Sequence, residues 1–302
     1  MLGLRAGVAW RYALGLVLLL ALAALVARYV GWDALLAAWS GLPAPQATAA
    51  LGLIMGSYAL RALRIYDFFR AEASDRYRLC LRLTLQHNAL NNLLPMRAGE
   101  ASFPLLMQRY LRIPVRQSLA ALLWFRLLDV HTLVALVLAS AGYRWLGWPL
   151  AFAALALWMV LPRLGLELMG RLPARWRRSP GVRQLDEYLH WHRRALWRAW
   201  LWTVANWAVK IAAFAWLLRQ FVDVPWFAAL LGSILGDATS VLPVHGVAGA
   251  GSYEAGVVAG VLPFGPTPAE ALAGAVNLHL FALGTALLGG LVSLALGARA
   301  RG

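Results

Sequence analysis

Two long apolar stretches, at about 83–108 and 226–262, are each broken near the middle by proline and glycine. They are the features that most constrain this chain. Around them lie six runs long enough to cross a bilayer, at about 12–30, 47–65, 117–141, 146–162, 199–219 and 271–297. A spanning helix needs roughly 20 mostly apolar residues. With 61% hydrophobic residues in the 302-residue chain, above the apolar share of soluble domains, the solvent is lipid. The first run is too long for the apolar part of a signal peptide and lacks a small-residue cleavage site, so it reads as a membrane helix.

The formal net charge is +15, almost all of it arginine, since Lys210 is the one lysine. These arginines flank apolar runs, which suits lipid phosphates and topology rather than nucleic acid. Arg5 and Arg11 precede the first run, and Arg70, Arg76, Arg78 and Arg82 follow the second. Nine arginines lie within 163–198, and Arg299 and Arg301 follow the last run. The loops at 31–46, 220–225 and 263–270 have none, and Arg144 is the exception. The positive-inside rule puts both termini and 163–198 in the cytoplasm. Leu185, Leu189 and Leu196 fall on one helical face there, so 163–198 reads as a surface-lying amphipathic segment, with a helix start at Ser179-Pro180 before these leucines. Trp145, Trp148, Trp197 and Trp226 read as interfacial belts. Thr267 to Glu270 reads as a capping box opening the last helix.

That orientation decides how the broken stretches thread. A single crossing by 83–108 would put Arg109, Arg112 and Arg116 outside, together with the nine-arginine segment. A hairpin entering from and returning to the cytoplasm restores the rule. The second broken stretch must then enter from the outside. The breaks share a pattern: LLPMRAGE at 93–100 and SVLPVHGVAGAGSYE at 240–254. Each has a proline that ends a helix, a basic or titratable residue two positions on, glycine, and a glutamate. Matching broken segments in two halves point to an inverted-repeat transporter, with repeats at 1–145 and 199–302. The competing reading is two ordinary proline-kinked helices. The expected fold is thus all-α and polytopic, with six spans, two re-entrant hairpins and an inverted repeat.

Ionisable residues in the membrane are costly and call for a partner or a role. The first break offers Arg97 and Glu100, preceded by Asn88, Asn91 and Asn92; the next helix carries Arg126 and Asp129 on one face. The second break offers Asp237, His245 and Glu254, and the last helix Asn277 and His279. One reading pairs these groups structurally, Arg97 with Asp129 or Glu254 and Arg126 with Glu100. The other makes them a polar cavity in which arginines hold a lipid phosphate. His245 reads as a local hydrogen-bonding group. Arg61 and Arg64, near a helix end, read as snorkelling to headgroups. His190 and His192 point different ways on a helix, so no metal site is read there. Cys80 is alone, so no internal disulfide forms.

No phosphate-binding glycine loop, HExxH, GxSxG or cysteine pair occurs, and GVAGAG at 246–251 follows no strand of a βαβ unit. The chain therefore reads as non-enzymatic and free of cofactors.

Three motifs resemble the flippase-like transmembrane family named after lysylphosphatidylglycerol synthase. They are N-x-L-L-P-x-R-x-G-E at Asn91 to Glu100, R-x-x-D at Arg126 to Asp129, and P-V-H-G-V-A-G-x-G-S-Y-E at Pro243 to Glu254. The resemblance implies a lipid-handling membrane domain. It marks Asn91, Pro95, Arg97, Gly99, Glu100, Arg126, Asp129, Pro243 and Glu254 as candidate positions. Phe125 stands where the family often has glutamate, and nothing resembles the soluble aminoacyl-transfer domain, so no lysyl transfer is expected. The first expectation is translocation of an anionic phospholipid, glycolipid or polyprenyl-phosphate lipid. The second is an accessory subunit presenting a lipid intermediate to a partner glycosyltransferase or synthase. The third is a lipid enzyme using Glu100 or Glu254 as base.

Overall fold

The computed structural model describes residues 16–93, 99–145, 147–170, 193–239 and 247–298. The described residues are helical with short turns and no strand, which bears out the all-α class. Helix α1 (Leu16–Val30) meets α2 (Trp32–Ser40) at 78°. Where a straight span ending in a loop is predicted, the chain bends and stays helical. The cause is Gly31, whose φ of 83° is open to glycine but strained for other residues. Then come α3 (Ala44–Phe68), the single turn α4 (Arg70–Ala73), α5 (Tyr77–Leu93), α6 (Ser102–Leu111), α7 (Val115–Trp145) and α8 (Gly147–Gly170). After residues 171–192 follow α9 (Arg193–Phe221), α10 (Trp226–Thr239), α11 (Ser252–Val261) and α12 (Pro268–Ala298).

Among the described residues, three helices are long and apolar enough to cross a membrane, within Val115–Ser140, Ala195–Phe221 and Pro268–Gly297; the bent α1–α2 pair makes up to a fourth. Their outward faces are lined with leucine, as at Leu123 and Leu127 on α7 and Leu287, Leu291 and Leu294 on α12. Such an outside suits hydrocarbon. Helix α3, at 25 residues, is about 38 Å long at 1.5 Å per residue. It is long enough to span, but Arg61, Arg64 and Asp67 make it more polar.

Both broken stretches fold back on themselves, α5 against α6 and α10 against α11. The arms are uneven: 17 and 10 residues in the first hairpin, 14 and 10 in the second. Helices α3 and α9 pack along each other at the centre. Around them the contacts come in matched sets. Helix α5 packs on α3, and α10 on α9. Helix α6 packs on α7, and α11 on α12. Helix α5 crosses to α12, and α10 crosses to α7.

Small residues make these approaches possible, as expected where lipid replaces water and close packing replaces the hydrophobic effect. Gly232 and Gly236 on α10 face Gly256 and Gly260 on α11. A Cβ on Gly260 would strike the Gly232 backbone, and one on Gly256 would meet the Leu235 carbonyl oxygen at 2.6 Å. Two of the apolar cores among the described residues lie around the hairpins. One gathers Ile54, Phe214, Leu218, Val257 and Leu278 around the second hairpin. The other gathers Phe68, Phe103, Met107, Phe125 and Leu196 around the first.

The basic stretch at 163–198 is differently divided from its sequence reading. Residues 163–170 continue α8 and 193–198 begin α9. Leu196 is 1% exposed, inside the first-hairpin core, not on a surface-lying face. Helical continuity with the span Ala195–Phe221 carries Leu196 into the bundle. Ser179, Pro180, Leu185, Leu189, His190 and His192 lie outside the described residues. The capping box at α12 forms as read: the Thr267 N–H donates to Glu270 Oε2 at 2.8 Å and the Glu270 N–H to Thr267 Oγ1 at 3.3 Å.

Candidate functional site

Arg61 and Arg64 lie three residues apart on α3 and so share a face. Both are turned inward. Arg64 is 5% exposed. Its Nη1 donates to Asp129 Oδ1 at 2.8 Å and to Thr203 Oγ1 on α9 at 2.9 Å. Its guanidinium lies over the Phe125 ring at 4.5 Å, so the residue standing in place of the family's glutamate becomes a cation–π platform. Arg61 Nη1 donates to Asn88 Oδ1 at 3.2 Å. The expected snorkelling of these two arginines is therefore overturned. An acid near the middle of the 31-residue α7 draws Arg64 in, because an unpaired buried carboxylate costs more than bending arginine away from the interface.

Asp129 also accepts from Trp207 Nε1 on α9 at 3.0 Å, and its Oδ2 from Arg126 at 3.5 Å. Arg126 Nη2 donates to Glu100 Oε1 at 2.6 Å, the pairing read from sequence. Asn92 Nδ2 donates to the Asn88 carbonyl at 2.7 Å, and His87 Nδ1 meets Ser102 Oγ at 3.0 Å. Gly99 belongs to this region for a steric reason. A Cβ there would collide with the Asn91 backbone, so glycine lets the turn press onto α5.

The cluster is incompletely satisfied. Among the described residues it holds Arg61, Arg64 and Arg126 against Glu100 and Asp129, a surplus of one positive charge. The Nε atoms of all three arginines are buried without a partner, as are Asn88 Nδ2 and Asn91 Oδ1. Four of those five atoms are donors. Buried polar atoms are ordinarily paired, so these donors stand out.

The second hairpin carries a further polar cluster. Lys210 Nζ on α9 donates to Asp237 Oδ1 at 2.7 Å and sits over the Trp207 and Phe214 rings at 5.0 and 5.1 Å. Glu254 Oε2 accepts from the Gly251 N–H at 2.7 Å, and its Oε1 meets His279 Nδ1 at 2.6 Å. Trp207 and Lys210, about one turn apart on α9, join the two clusters. The hairpins also touch, through α5 and the turn Val247–Gly249.

Asn91, Asn92, Gly99, Glu100, Arg126 and Asp129 are thus assembled around the first hairpin, and Asp237 and Glu254 around the second. Pro95, Arg97, Pro243 and His245 lie outside the described residues. The described partners of Asp129 are Arg64, Arg126 and Trp207, and those of Glu254 are His279 and Gly251. The sequence reading misses Arg61, Arg64, Thr203, Trp207 and Lys210 as cluster members. Arg61 and Arg64 share a face of α3, but nothing in the sequence tells which way that face turns.

No curated protein and no solved structure matches this sequence. The profile of the lysylphosphatidylglycerol synthase TM region matches residues 12–290. That match runs through both hairpins and both charged clusters, and the chain belongs to the lysylphosphatidylglycerol synthase TM region family, a membrane domain of lipid-related proteins.

Proposed function

We propose that this chain is a non-enzymatic lipid translocase of the cell inner membrane, moving an anionic phospholipid, glycolipid or polyprenyl-phosphate lipid between leaflets. One observation carries the reading: the first-hairpin cluster keeps a surplus positive charge and four unpartnered buried donors. A phosphate or other anionic headgroup supplies both the charge and the acceptors. Arginine suits phosphate because its planar fork donates in pairs. In this reading Arg61, Arg64 and Arg126 contact the headgroup, Asn88 and Asn91 orient it, and Asp129 and Glu100 hold the arginines in place when the site is empty.

The matched packing of α3, α5, α6 and α7 with α9, α10, α11 and α12 supports an inverted-topology repeat. The hairpins are then re-entrant from opposite leaflets, with six spans and both termini cytoplasmic. A cleft of about 860 Å³ lined by Arg76, Arg78, Arg82 and Leu296 opens where α5 begins. It gives a headgroup a basic approach to the polar face of α5. Rocking of one repeat against the other exposes the cluster to each side in turn.

The test is reconstitution in vesicles with fluorescent phosphatidylglycerol. Protein-dependent movement across the vesicle wall, abolished by Arg126→Ala, is expected. Rates equal to empty vesicles for every anionic lipid tried contradict translocation. Binding without movement points instead to an accessory subunit presenting lipid to a partner enzyme.

A further inference from the structure

His279 is held at both ring nitrogens, and the partners fix how many protons the arrangement needs. Nε2 lies 3.1 Å from the Ala248 carbonyl oxygen. A carbonyl only accepts, so Nε2 carries hydrogen. Nδ1 lies 2.6 Å from Glu254 Oε1, while Glu254 Oε2 is already taken by the Gly251 N–H. The Nδ1···Oε1 contact therefore needs one further proton, on the carboxyl or on the ring. Either placement leaves the pair neutral overall.

We propose that Glu254 and His279 form a one-proton binding site whose occupancy locks the tip of the second hairpin. On the translocase reading above, this makes the proton the coupling ion. Removing the proton leaves a neutral ring with one N–H for two acceptors. The N–H stays with the carboxylate, since a charge-assisted bond is stronger than one to a carbonyl. The Nε2 lone pair then faces the Ala248 oxygen and that contact breaks. Only an O–H or N–H bond changes; the proton passes to water and the pair is left with one negative charge.

The contact that breaks restrains a strained turn. Ala248 has φ 53°, and Gly249 and Gly251 have φ 87° and 85°. A left-handed alanine persists only when its surroundings hold it. The same turn packs against α5 of the first hairpin. Proton loss therefore loosens the junction between the hairpins, which is where alternating access must act.

The neighbours keep the pair isolated. The Tyr253 ring stacks on His279 at 4.4 Å, and its hydroxyl is buried without a partner. Asp237 and Glu254 both lie within electrostatic range of that hydroxyl, but Asp237 is paired with Lys210 of α9. Helix α12 adds Asn277, which accepts from Trp39 of α2 at 2.8 Å. On α5 the titratable group towards the tip is His87, held by Ser102. Helix α1 brings the apolar Leu18 to Gly251.

Two measurements test this. The first is hydrogen exchange of the peptide 247–252 in nanodiscs from about pH 4 to about pH 9, corrected for intrinsic rates. The expected opening rises about tenfold per pH unit and then levels off, as one-proton linkage requires. Glu254→Gln keeps every contact with a proton that cannot leave, so its exchange stays flat. A flat wild-type profile, or a Gln variant that tracks wild type, overturns the site. The second drives fluorescent phosphatidylglycerol across vesicles under opposed pH gradients. Wild type should change net direction with the gradient and Glu254→Gln should not. Lipid movement indifferent to the gradient overturns the coupling. No lipid movement at all refutes the translocase reading and the coupling with it, while the exchange profile still decides the proton site.

Discussion

Among the described residues around the first hairpin, three arginines face two acids, and several buried donors have no partner. Around the second, Lys210 meets Asp237, His279 meets Glu254, and glycines bring two backbones into contact. Yet the two hairpins share one packing plan: each lies on a central helix, folds back on its own long helix, and crosses to the other half's long helix. The difference teaches that packing and charge are specified separately. Small residues and apolar cores accompany the matched helix contacts, while a few polar residues set the charge of the two hairpins apart.

Breaking the central ion pair is the harshest test of that contrast. Arg64→Ala strips Asp129 of its shortest ion pair in a buried site and should cost about 3–5 kcal/mol. Arg126 is about a quarter exposed (25%), so Arg126→Ala should cost less. Thermal unfolding in detergent compares the two; equal losses would mean that Arg64 is not the buried keystone of the first hairpin.

The second hairpin is vulnerable at its glycines instead. Gly260→Leu forces α10 and α11 apart and should cost about 1–3 kcal/mol by overpacking. Gly284 on α12 has open space where a methyl would stand, with nothing within 4 Å. Gly284→Ala should therefore stabilise by up to about 1 kcal/mol through helix propensity. The same unfolding assay separates them, and a tolerated Gly260→Leu would deny the backbone contact.

These residues also mark where sequence reasoning reaches and where it stops. Proline and glycine clustered together in mid-run announce the hairpins, because proline removes an N–H and glycine loosens the backbone at the same place; single ones such as Pro162 in α8 stay within a helix. The Arg126–Glu100 pair follows from shared motifs, and the α12 cap from local spacing. The inward turn of Arg61 and Arg64 is not legible, because position near a helix end does not tell which way a long side chain points. Asp129 on α7 decides that, 65 residues away from Arg64. Gly232-x-x-x-Gly236 and Gly256-x-x-x-Gly260 are visible as close-packing patterns. That they face each other is a matter of tertiary register. The bend at Gly31 hides inside an apolar run whose composition suits a straight span.

The smallest effect lies outside both hairpins, at the cap of α12, and serves as a control. The Thr267 N–H and hydroxyl bond the Glu270 carboxylate at 2.8 Å. Glu270→Ala removes both bonds and should lower the melting temperature by less than any substitution above. An unchanged melting temperature would contradict the cap.

The central claim is that the surplus charge and spare donors of the first hairpin hold an anionic lipid headgroup. Native mass spectrometry of the gently purified protein tests it most directly. A bound anionic lipid should be present in wild type and in Lys210→Met, and lost in Arg126→Ala. Equal lipid occupancy in all three proteins would contradict the account.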